Sequence, residues 1–429
     1  MIKIDSDNDA IEKNIRLMEK RIEEYGGYLD PDLYITCENG EMSVEKHGFI
    51  NPTKPLIALP TDLLLPAEAM KMGVKNDEMF MNPDKGALTE IQTEMAETML
   101  DLYNLTTKIK NHKASCCWFT YQEAPEALED LMSARAMNDN QNKFMKFTRG
   151  ESDLDRDQFL CETYVKTRTI GYKNPDSEDD DAPQTKIMPI VDFINHHATG
   201  ANFGFAKGFD DTQKDKEFLQ IKDSRPLTNS NECFAYYNQM DTLDAFINYG
   251  FPDTSTNFVR SVPVEFSLPD GTVIAARGLM GANKKGKLNK TLAGLRPYIP
   301  PTIINTEERL EVSYFIIPCD AQTQHALRRV LRLFISNRAA RKLNTNQIWA
   351  EVLKAEEIIV STNVKFYQDL IMKCDQNLAK APNASWEMTK MVARMQLEKL
   401  FKYHYEESHF TGEASTNAGA ETEEFAAAE

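Results

Sequence analysis

Several long stretches of the chain carry an apolar residue at every third or fourth position, which is the spacing of one face of an amphipathic helix. In residues 8–25 this face comprises Ile11, Ile15, Met18 and Ile22, and two glycines directly after them end the helix. The same spacing predicts further helices over residues 88–110, 123–137, 325–336, 346–374 and 386–405. The middle and the C-terminal part of the chain are therefore expected to be mainly helical.

Short apolar segments bounded by turn-forming residues predict strands between these helices. Residues 33–37 and 55–60 have the length of short strands, and residues 258–277 contain two such segments around the turn Leu-Pro-Asp-Gly. The acidic residues in 174–186 and the small and acidic residues in 409–429 predict a solvated loop and a disordered tail. Together these patterns predict an α+β fold.

Two blocks in the centre of the chain place polar and aromatic residues beside apolar segments. In the first block, residues 188–205, a short apolar run leads to Asp192 and then to Asn195 and His196, before a turn that contains a glycine. In the second block, residues 231–251, tyrosines follow a strand-forming segment and then end a helix-forming segment. Polar residues in such positions are typical of a functional site, so the two blocks are interpreted together.

In order and spacing, the two blocks resemble the SET-domain methyltransferases of the Rubisco large-subunit lysine and actin-histidine type. Members of this family carry the patterns Pro-x-x-Asp-x-x-Asn-His, Gly-Glu-x-x-x-x-Tyr and Tyr-Gly-Phe. The matching positions of this chain are Pro189, Asp192, Asn195 and His196, then Asn231, Glu232 and Tyr237, then Tyr249, Gly250 and Phe251. The resemblance implies a β-rich SET fold of small twisted sheets with a threaded, pseudoknot-like segment, a helical insertion and an all-helical C-terminal substrate-binding domain.

The layout of the family also predicts where domains begin and end in this chain. We expect an N-terminal helix and the first part of the SET core in residues 1–85, a helical insertion in 86–157, the second part of the core in 158–280, a helical substrate-binding domain in 281–408 and a disordered tail in 409–429. The layout covers nearly the whole chain, whereas the specific motifs lie only between residues 168 and 251.

The resemblance implies S-adenosylmethionine (AdoMet) as the methyl donor and S-adenosylhomocysteine (AdoHcy) as the product, with no metal. The residues expected to bind this cofactor are Arg168, Asp192, Asn195, His196 and Tyr237. Glu38, Gly40 and Met42 stand where the family has a Glu-Gly-x-Gly-Leu motif, although the second glycine of that motif is missing here. The contacts of this segment with the cofactor are therefore expected to differ from those in the family.

The same resemblance assigns the catalytic roles to tyrosines. Tyr237 matches the active-site tyrosine of the family, beside the transferring methyl group, and Tyr249 matches a second aromatic residue near the acceptor. Ile170, Tyr249 and Phe251 are expected to line the channel that admits the substrate side chain. Lysine must lose its proton before it attacks, and an aromatic, dehydrated channel favours the neutral amine.

Lysine is the expected acceptor, because Ile170 stands close to a position where histidine-methylating relatives have a polar amide. The predicted function is AdoMet-dependent transfer of a methyl group to a lysine side chain of a protein substrate. Two alternatives stay open: a protein-histidine methyltransferase, and a catalytically silent SET-like module that binds a protein partner. The altered glycine motif favours the silent module, whereas Asn195, His196 and Tyr237 together favour the enzyme.

Composition narrows the range of partners. The net charge of the 429-residue chain is −17, so we expect nucleic acid to be repelled and a basic protein to be the substrate. No segment reaches the ~20 apolar residues of a membrane span, and the polar start of the chain lacks the apolar run of a signal peptide. The seven cysteines are scattered, which supports neither a disulfide framework nor a zinc site. We expect a cytoplasmic monomer that binds neither membranes nor nucleic acid.

Two other motifs indicate different chemistry. Asp192, His196 and His197 could bind a divalent metal if they shared the face of a helix, but the β-forming residues before them disfavour a helix. Residues 281–288 imitate a phosphate-binding loop, but Leu288 replaces the Ser or Thr that would hold magnesium. Neither a metal site nor a nucleotide hydrolase is therefore expected.

Overall fold

A computed structural model of the chain describes most of its residues. The described residues are 1–51, 53–135, 139–173, 183–210, 213–227, 229–278, 290–306, 308–320, 323, 325–339 and 343–408. The segment 281–288 that imitates a phosphate-binding loop, the predicted disordered tail 409–429 and residues 174–182 of the predicted acidic loop lie outside the described residues.

Each region predicted to be helical contains a helix. The α-helices of the described residues are α1 Asp9–Glu24, α2 Ala67–Met70, α3 Glu90–Leu105, α4 Lys108–Ser115, α5 Cys117–Thr120, α6 Pro125–Met132, α7 Asp139–Thr148, α8 Arg156–Lys166, α9 Thr242–Tyr249, α10 Ala326–Ala339, α11 Thr345–Leu378 and α12 Ala384–Ser408. Short 3₁₀ helices occur at Thr61–Leu63, Val191–Phe193 and Lys290–Tyr298. No described helix combines the length and the apolar character that a membrane span requires.

The strands are short and pair into sheets of two to four strands. They are β1 Lys3–Ser6, β2 Tyr28–Leu29, β3 Leu33–Glu38, β4 Glu41–Lys46, β5 Ile57–Pro60, β6 Leu65–Pro66, β7 Met72–Lys75, β8 Glu78–Met81, β9 Thr169–Tyr172, β10 Gln184–Ile187, β11 Asn195–Ala201, β12 Phe203–Lys207, β13 Glu217–Ile221, β14 Phe234–Ala235, β15 Phe258–Arg260, β16 Val264–Ser267, β17 Val273–Ala276, β18 Ile303–Asn305, β19 Arg309–Val312 and β20 Ile316–Pro318. The predicted α+β class, with small sheets and a helical C-terminal part, is confirmed.

The described residues divide into two compact units. Unit 1 comprises Met1–Phe119, Asp153–Met240 and Ile247–Phe251, and unit 2 comprises Thr120–Ser152, Asp241–Phe246 and the described residues from Pro252 onward. Both motif blocks belong to unit 1, except for residues 241–246. The domain boundaries expected from the sequence stay a prediction.

Helix α1 forms where the apolar pattern placed it. Asn8 caps its N-terminus, because the side-chain oxygen accepts a hydrogen bond from the backbone N–H of Ala10. The predicted apolar face, which includes Ile15 and Met18, is fully buried. The helix predicted over residues 8–25 is therefore confirmed.

The single helix predicted over residues 88–110 is wrong, because the chain breaks between α3 and α4. At the break, the backbone N–H of Thr107 donates a hydrogen bond to the carbonyl of Gly40 at 3.2 Å. The Thr107 hydroxyl donates to the same carbonyl at 3.3 Å. A contact with the turn between β3 and β4 thus replaces a helical hydrogen bond, and a new helix begins at Lys108.

In unit 1, the first residues of the second motif block lie between strands β4 and β11. The backbone N–H of Cys233 donates to the carbonyl of Val44 in β4 at 2.8 Å, and the N–H of Lys46 donates to the carbonyl of Asn231 at 2.9 Å. On its other side, β14 pairs in parallel with β11 of the first motif block. The first block, residues 231–240 of the second block and β4 therefore form one continuous region of unit 1.

Unit 2 combines a sheet with long helices. Strands β16, β17, β19 and β18 form a four-stranded sheet in which β16 and β17 are the hairpin predicted around the Pro-Asp-Gly turn. Helix α11 packs against both α10 and α12. The expectation of an all-helical region holds from Ala326 onward, whereas residues 303–318 form β18, β19 and β20. The polar and apolar alternation of Arg309–Val312, with the apolar residues buried, is the period of a strand.

Candidate active site

The first motif block begins with a sharp backbone turn. Ile190 has a φ of +63°, in the left-handed region that a β-branched residue rarely adopts. The 3₁₀ helix Val191–Phe193 follows directly, with Asp192 buried in it. Backbone strain of this kind costs about 1–3 kcal/mol and is typical of functional sites.

Strands β11 and β14 bring the two motif blocks side by side, with Asn195 opposite Phe234. The Nδ1 atom of His196 accepts a hydrogen bond from the backbone N–H of Tyr237 at 3.2 Å. The Tyr237 hydroxyl donates to the carbonyl of Ile194 at 2.6 Å. The first block thus fixes both the backbone and the side chain of the tyrosine in the second block.

Asn195 links the two blocks through its side chain. Its Nδ2 atom donates to the Glu232 carboxylate at 2.8 Å, and Glu232 itself forms an isolated β-bridge to Glu45 of β4. The Oδ1 atom of Asn195 accepts no hydrogen bond from a described residue. This amide oxygen is therefore available to a ligand.

A buried ion pair forms one end of the site. The Nη1 atom of Arg168 donates to Oδ2 of Asp192 at 3.0 Å, and the Tyr103 hydroxyl donates to the same oxygen at 3.0 Å. The guanidinium lies over the ring of Tyr164, 4.5 Å from its centre. The Nε atom of Arg168 is buried and finds no acceptor among the described residues. A buried donor without a partner is costly, and a ligand with an acceptor group would satisfy this one because Arg168 lines the cavity of the site.

Helix α4 adds an amine and an imidazole to the same end. The Nζ atom of Lys108 makes no hydrogen bond or ion pair with a described residue, and it lies 5.9 Å from the centre of the Phe193 ring. Burial and then repulsion by Arg168 lower the pKa of Lys108 to about 8. The same two causes lower the pKa of His112 to about 4, so its ring is neutral; Nε2 lies 3.1 Å from the Thr163 hydroxyl.

The turn between β3 and β4 brings a carboxylate beside α4. Gly40 has a φ of +79°, and a Cβ on it would lie 2.8 Å from Cγ2 of Thr107, so glycine is needed for this close approach. The next residue, Glu41, accepts a hydrogen bond through Oε1 from the Thr107 hydroxyl at 3.0 Å and another from Nδ2 of Asn111. The turn thus holds Glu41 against the first turn of α4.

Aromatic side chains form the other end of the site. The ring centres of Tyr237 and Tyr249 lie 5.4 Å apart, those of Tyr249 and Phe251 6.1 Å, and those of His196 and Tyr237 5.1 Å. Burial raises the pKa of Tyr237 and of Tyr249, so both hydroxyls stay protonated. Phe251 is 37% exposed, which places it where the aromatic end meets solvent.

A cavity of about 270 Å³ connects the two ends. Its walls are formed by Glu41, Met42, Lys108, Asn111, His112, Ser115, Thr167, Arg168, Thr169, Met188, Val191, Asp192, Asn195, Phe203, Ala235, Tyr237, Tyr249 and Phe251. All of these residues belong to unit 1. Small-molecule sites enclose about 300–1,000 Å³, so this volume lies just below the lower limit of that range.

The structure brings most of the predicted site residues to this cavity. Those that line it are Met42, Arg168, Asp192, Asn195, Tyr237, Tyr249 and Phe251. Gly40 and His196 support the wall through Thr107 and Tyr237. Glu38 and Ile170 lie elsewhere: Glu38 is exposed at the end of β3, and Ile170 pairs with Lys186 between β9 and β10.

Sequence reasoning missed the contribution of α4 and of Glu41. The four α4 residues of the wall are Lys108, Asn111, His112 and Ser115. Their spacing of three, four and seven places them on one face of a helix. This polar face was the signal in the sequence, hidden inside a stretch whose apolar spacing predicted only an amphipathic helix.

The three residues considered for a metal site, Asp192, His196 and His197, do not share the face of a helix. The described residues contain no group of three His, Cys, Asp or Glu side chains arranged for a metal ion. Asp192 lies in a 3₁₀ helix and bonds to Arg168 and Tyr103, whereas His196 and His197 lie in strand β11. The shared helix face that a metal would need is therefore missing from this part of the structure.

Comparison with known proteins gives structural neighbours only. No protein-family model and no curated protein sequence matches the chain. The SET domain of LSMT bound to lysine and AdoHcy is 11% identical, with coverage of 94% of this chain and 93% of that chain and a TM-score of 0.38. Rubisco LSMT bound to sinefungin and monomethyllysine is 12% identical, with 93% coverage of both chains and a TM-score of 0.34. Rubisco LSMT bound to AdoMet is 13% identical, with the same coverage and a TM-score of 0.36.

These neighbours are SET-domain proteins, the family that the two motif blocks resemble. Their TM-scores are below 0.5, so the chemistry of this chain is inferred from its own residues and contacts.

Proposed function

We propose that this chain is an AdoMet-dependent protein methyltransferase that transfers a methyl group to a lysine side chain. The observation that carries the proposal is one cavity with two different ends. One end holds the Arg168–Asp192 ion pair and unpartnered polar atoms, and the other end is built from Tyr237, Tyr249 and Phe251. The first end suits a polar, charged cofactor, and the second end suits an alkyl amine.

The residues of the cavity fit the cofactor. The buried Nε atom of Arg168 is a donor without a partner, which the carboxylate of AdoMet would satisfy. The free Oδ1 atom of Asn195 can accept a hydrogen bond from the nucleoside. The apolar walls for the adenosine are Met42, Met188, Val191 and Phe203.

The reaction needs positioning more than it needs acid, base or metal. Bound AdoMet supplies an electrophilic methyl group on a sulfonium, and the attacking nitrogen must approach in line with the breaking bond. A substrate side chain that fills the aromatic end would exclude water from this approach. The Tyr237 hydroxyl is fixed by its bond to the Ile194 carbonyl, so its oxygen can accept a hydrogen bond from the incoming amine and orient it.

The acceptor amine must also be neutral, and the cavity favours this state. Lysine has an ordinary pKa of about 10.4, so in water at pH 7 nearly all of it carries a proton. Burial in this cavity, followed by the charge of Arg168, lowers the pKa of the chain's own Lys108 to about 8. A substrate lysine that is buried at the aromatic end is expected to have its pKa lowered by the same first cause, which raises the fraction of neutral amine.

The test is methyl transfer from AdoMet that carries a radiolabelled methyl group. The full chain is incubated with fractionated cell lysate, and the labelled protein is hydrolysed to amino acids. Label in methyl-lysine supports the proposal. Label in methyl-histidine would show that the acceptor is histidine and not lysine. AdoHcy binding without any labelled protein would favour the silent, partner-binding module.

Replacing Tyr237 by Phe tests the role of the hydroxyl. We expect turnover to fall by about 100-fold, the usual effect of removing one preorganised polar group at the reacting atoms. Binding of AdoHcy should stay almost unchanged, because the ring and the backbone bond to His196 remain. Turnover is measured with the labelled substrate and binding by calorimetry.

Tyr236→Phe is the matched control, since Tyr236 is the neighbouring tyrosine and does not line the cavity. It should leave turnover unchanged. Equal losses of turnover and of AdoHcy binding in Tyr237→Phe would show that Tyr237 is structural only.

A further inference from the structure

Lys108 is in a position that folding alone does not favour. It is the first residue of α4, and a cation at a helix N-terminus is repelled by the helix dipole. It is half-buried, and no described residue gives its Nζ atom a hydrogen bond or an ion pair. The neighbouring guanidinium of Arg168 is already bonded to Asp192. An amine held in this way has no bonded anion, although the charges of Asp192 and Glu41 act on it from farther away, and the cavity is where the anion of a ligand can reach it.

The carboxylate of Glu41 lies near this amine, and only one of its two oxygens accepts hydrogen bonds from described residues. The Oε1 atom of Glu41 accepts hydrogen bonds from Thr107 and Asn111, whereas no described residue donates to Oε2. Glu41 lines the same cavity as Lys108, and its charge acts on that amine. Since Thr107 immediately precedes Lys108, the contact of Gly40 with Thr107 fixes the two side chains relative to each other.

We propose that Lys108 and Glu41 form a charge clamp for the α-amino acid group of the cofactor, in which Lys108 binds the carboxylate and Glu41 binds the ammonium. This inference rests on the proposed function and names two binding residues that lie outside both motif blocks. A zwitterion fits because the clamp offers one charge of each sign at the same end of the cavity.

The clamp distinguishes AdoHcy from the nucleoside that lacks its amino acid group, 5′-deoxy-5′-methylthioadenosine. Removing the Lys108 charge should weaken AdoHcy binding by about 10-fold to 100-fold, the range for a charge-assisted hydrogen bond. The affinity for the nucleoside should not change, because it has no carboxylate. A merely structural lysine would affect both ligands alike.

The experiment is calorimetric titration of the full chain with each of the two ligands. The variants are Lys108→Met, which keeps the aliphatic stem, and Lys108→Arg, which keeps the charge. Lys110→Met is the matched control, because Lys110 is an exposed lysine of the same helix outside the cavity wall. We expect a selective loss of AdoHcy affinity in Lys108→Met, much less loss in Lys108→Arg and none in Lys110→Met.

Glu41→Gln tests the clamp independently of any effect that a substitution of Lys108 has on folding. The amide oxygen can keep the bonds from Thr107 and Asn111, while an NH₂ group replaces the second carboxylate oxygen and removes the negative charge. This variant should also lose AdoHcy affinity selectively. Equal affinity of the wild type, Lys108→Met and Glu41→Gln for AdoHcy would overturn the clamp while leaving the methyltransferase proposal intact. A wild type that binds no AdoHcy would overturn both.

Discussion

Gly40 is a single residue on which the geometry of the site depends. It combines a φ of +79° with a backbone contact to Thr107 that leaves no room for a Cβ. Gly40→Ala should therefore suffer both backbone strain, about 1–2 kcal/mol, and the clash with Thr107, about 1–3 kcal/mol. The free energy of unfolding from urea denaturation measures the sum. AdoHcy affinity should fall as well, because the displaced turn moves Glu41 away from α4.

Gly86→Ala is the control that separates strain from clash. Gly86 has nearly the same φ, +80°, but nothing lies within 4 Å of the position that its Cβ would take. It should lose only the strain energy and keep its AdoHcy affinity. Equal destabilisation by the two substitutions would mean that the turn can move away from Thr107 at little cost.

Site residues within a motif can be found from sequence, and those placed by tertiary contacts cannot. Arg168, Asn195 and Tyr237 were predicted from short patterns, and all three line the cavity. Glu41 and Lys108 were missed, because they meet through a hydrogen bond between Thr107 and Gly40, 67 positions apart in the chain. Such a bond leaves no local pattern in the sequence.

At the scale of elements, unit 2 is held together by a buried carboxylate. Asp241 is fully buried, and its Oδ2 accepts hydrogen bonds from Arg135 at 2.6 Å, from the backbone N–H of Arg260 at 2.8 Å and from Gln396 at 2.8 Å. Burial acts to raise the pKa of Asp241, but the guanidinium groups of Arg135 and Arg260 hold this pKa below its ordinary value. The carboxylate precedes helix α9. It thus connects this position with the residues after helix α6, with strand β15 and with helix α12.

Asp241→Asn should lower the free energy of unfolding by about 3–5 kcal/mol, because it leaves the buried guanidinium groups of Arg135 and Arg260 with Asp244 as their one remaining carboxylate. Urea denaturation of the full chain measures this change. The control is Asp369→Asn, which removes an exposed i,i+4 pair with Lys365 on α11 and should cost less than about 0.5 kcal/mol. Similar losses in the two variants would show that the buried charge contributes no more than a surface pair.

Elements with a regular apolar period were predictable, and elements decided by competing contacts were not. Helix α1 matched its prediction because four buried apolar residues and an Asn cap all favour the same helix. The break between α3 and α4 was missed because the bond from Thr107 to Gly40 outweighs helix propagation. Strand β19 was missed because a four-residue alternation is too short to compete with the strong helical pattern that follows it.

At the scale of the whole molecule, the chain carries 66 acidic against 49 Lys and Arg residues. A net charge of −17 attracts a basic protein and raises its rate of encounter at low salt. This long-range attraction would favour a proposed acceptor lysine that lies in a basic segment. The charge itself leaves the identity of the substrate open to the labelling experiment.

The most direct test of the central claim is calorimetric titration of the full chain with AdoMet and with AdoHcy. We predict saturable one-to-one binding of both, weakened by about 10-fold in Asn195→Ala, which removes the free amide oxygen and the bond to Glu232. Asn202→Ala, at an exposed residue outside the cavity wall, should bind like the wild type. No binding of either ligand at millimolar concentration would contradict the account and leave a silent, partner-binding module.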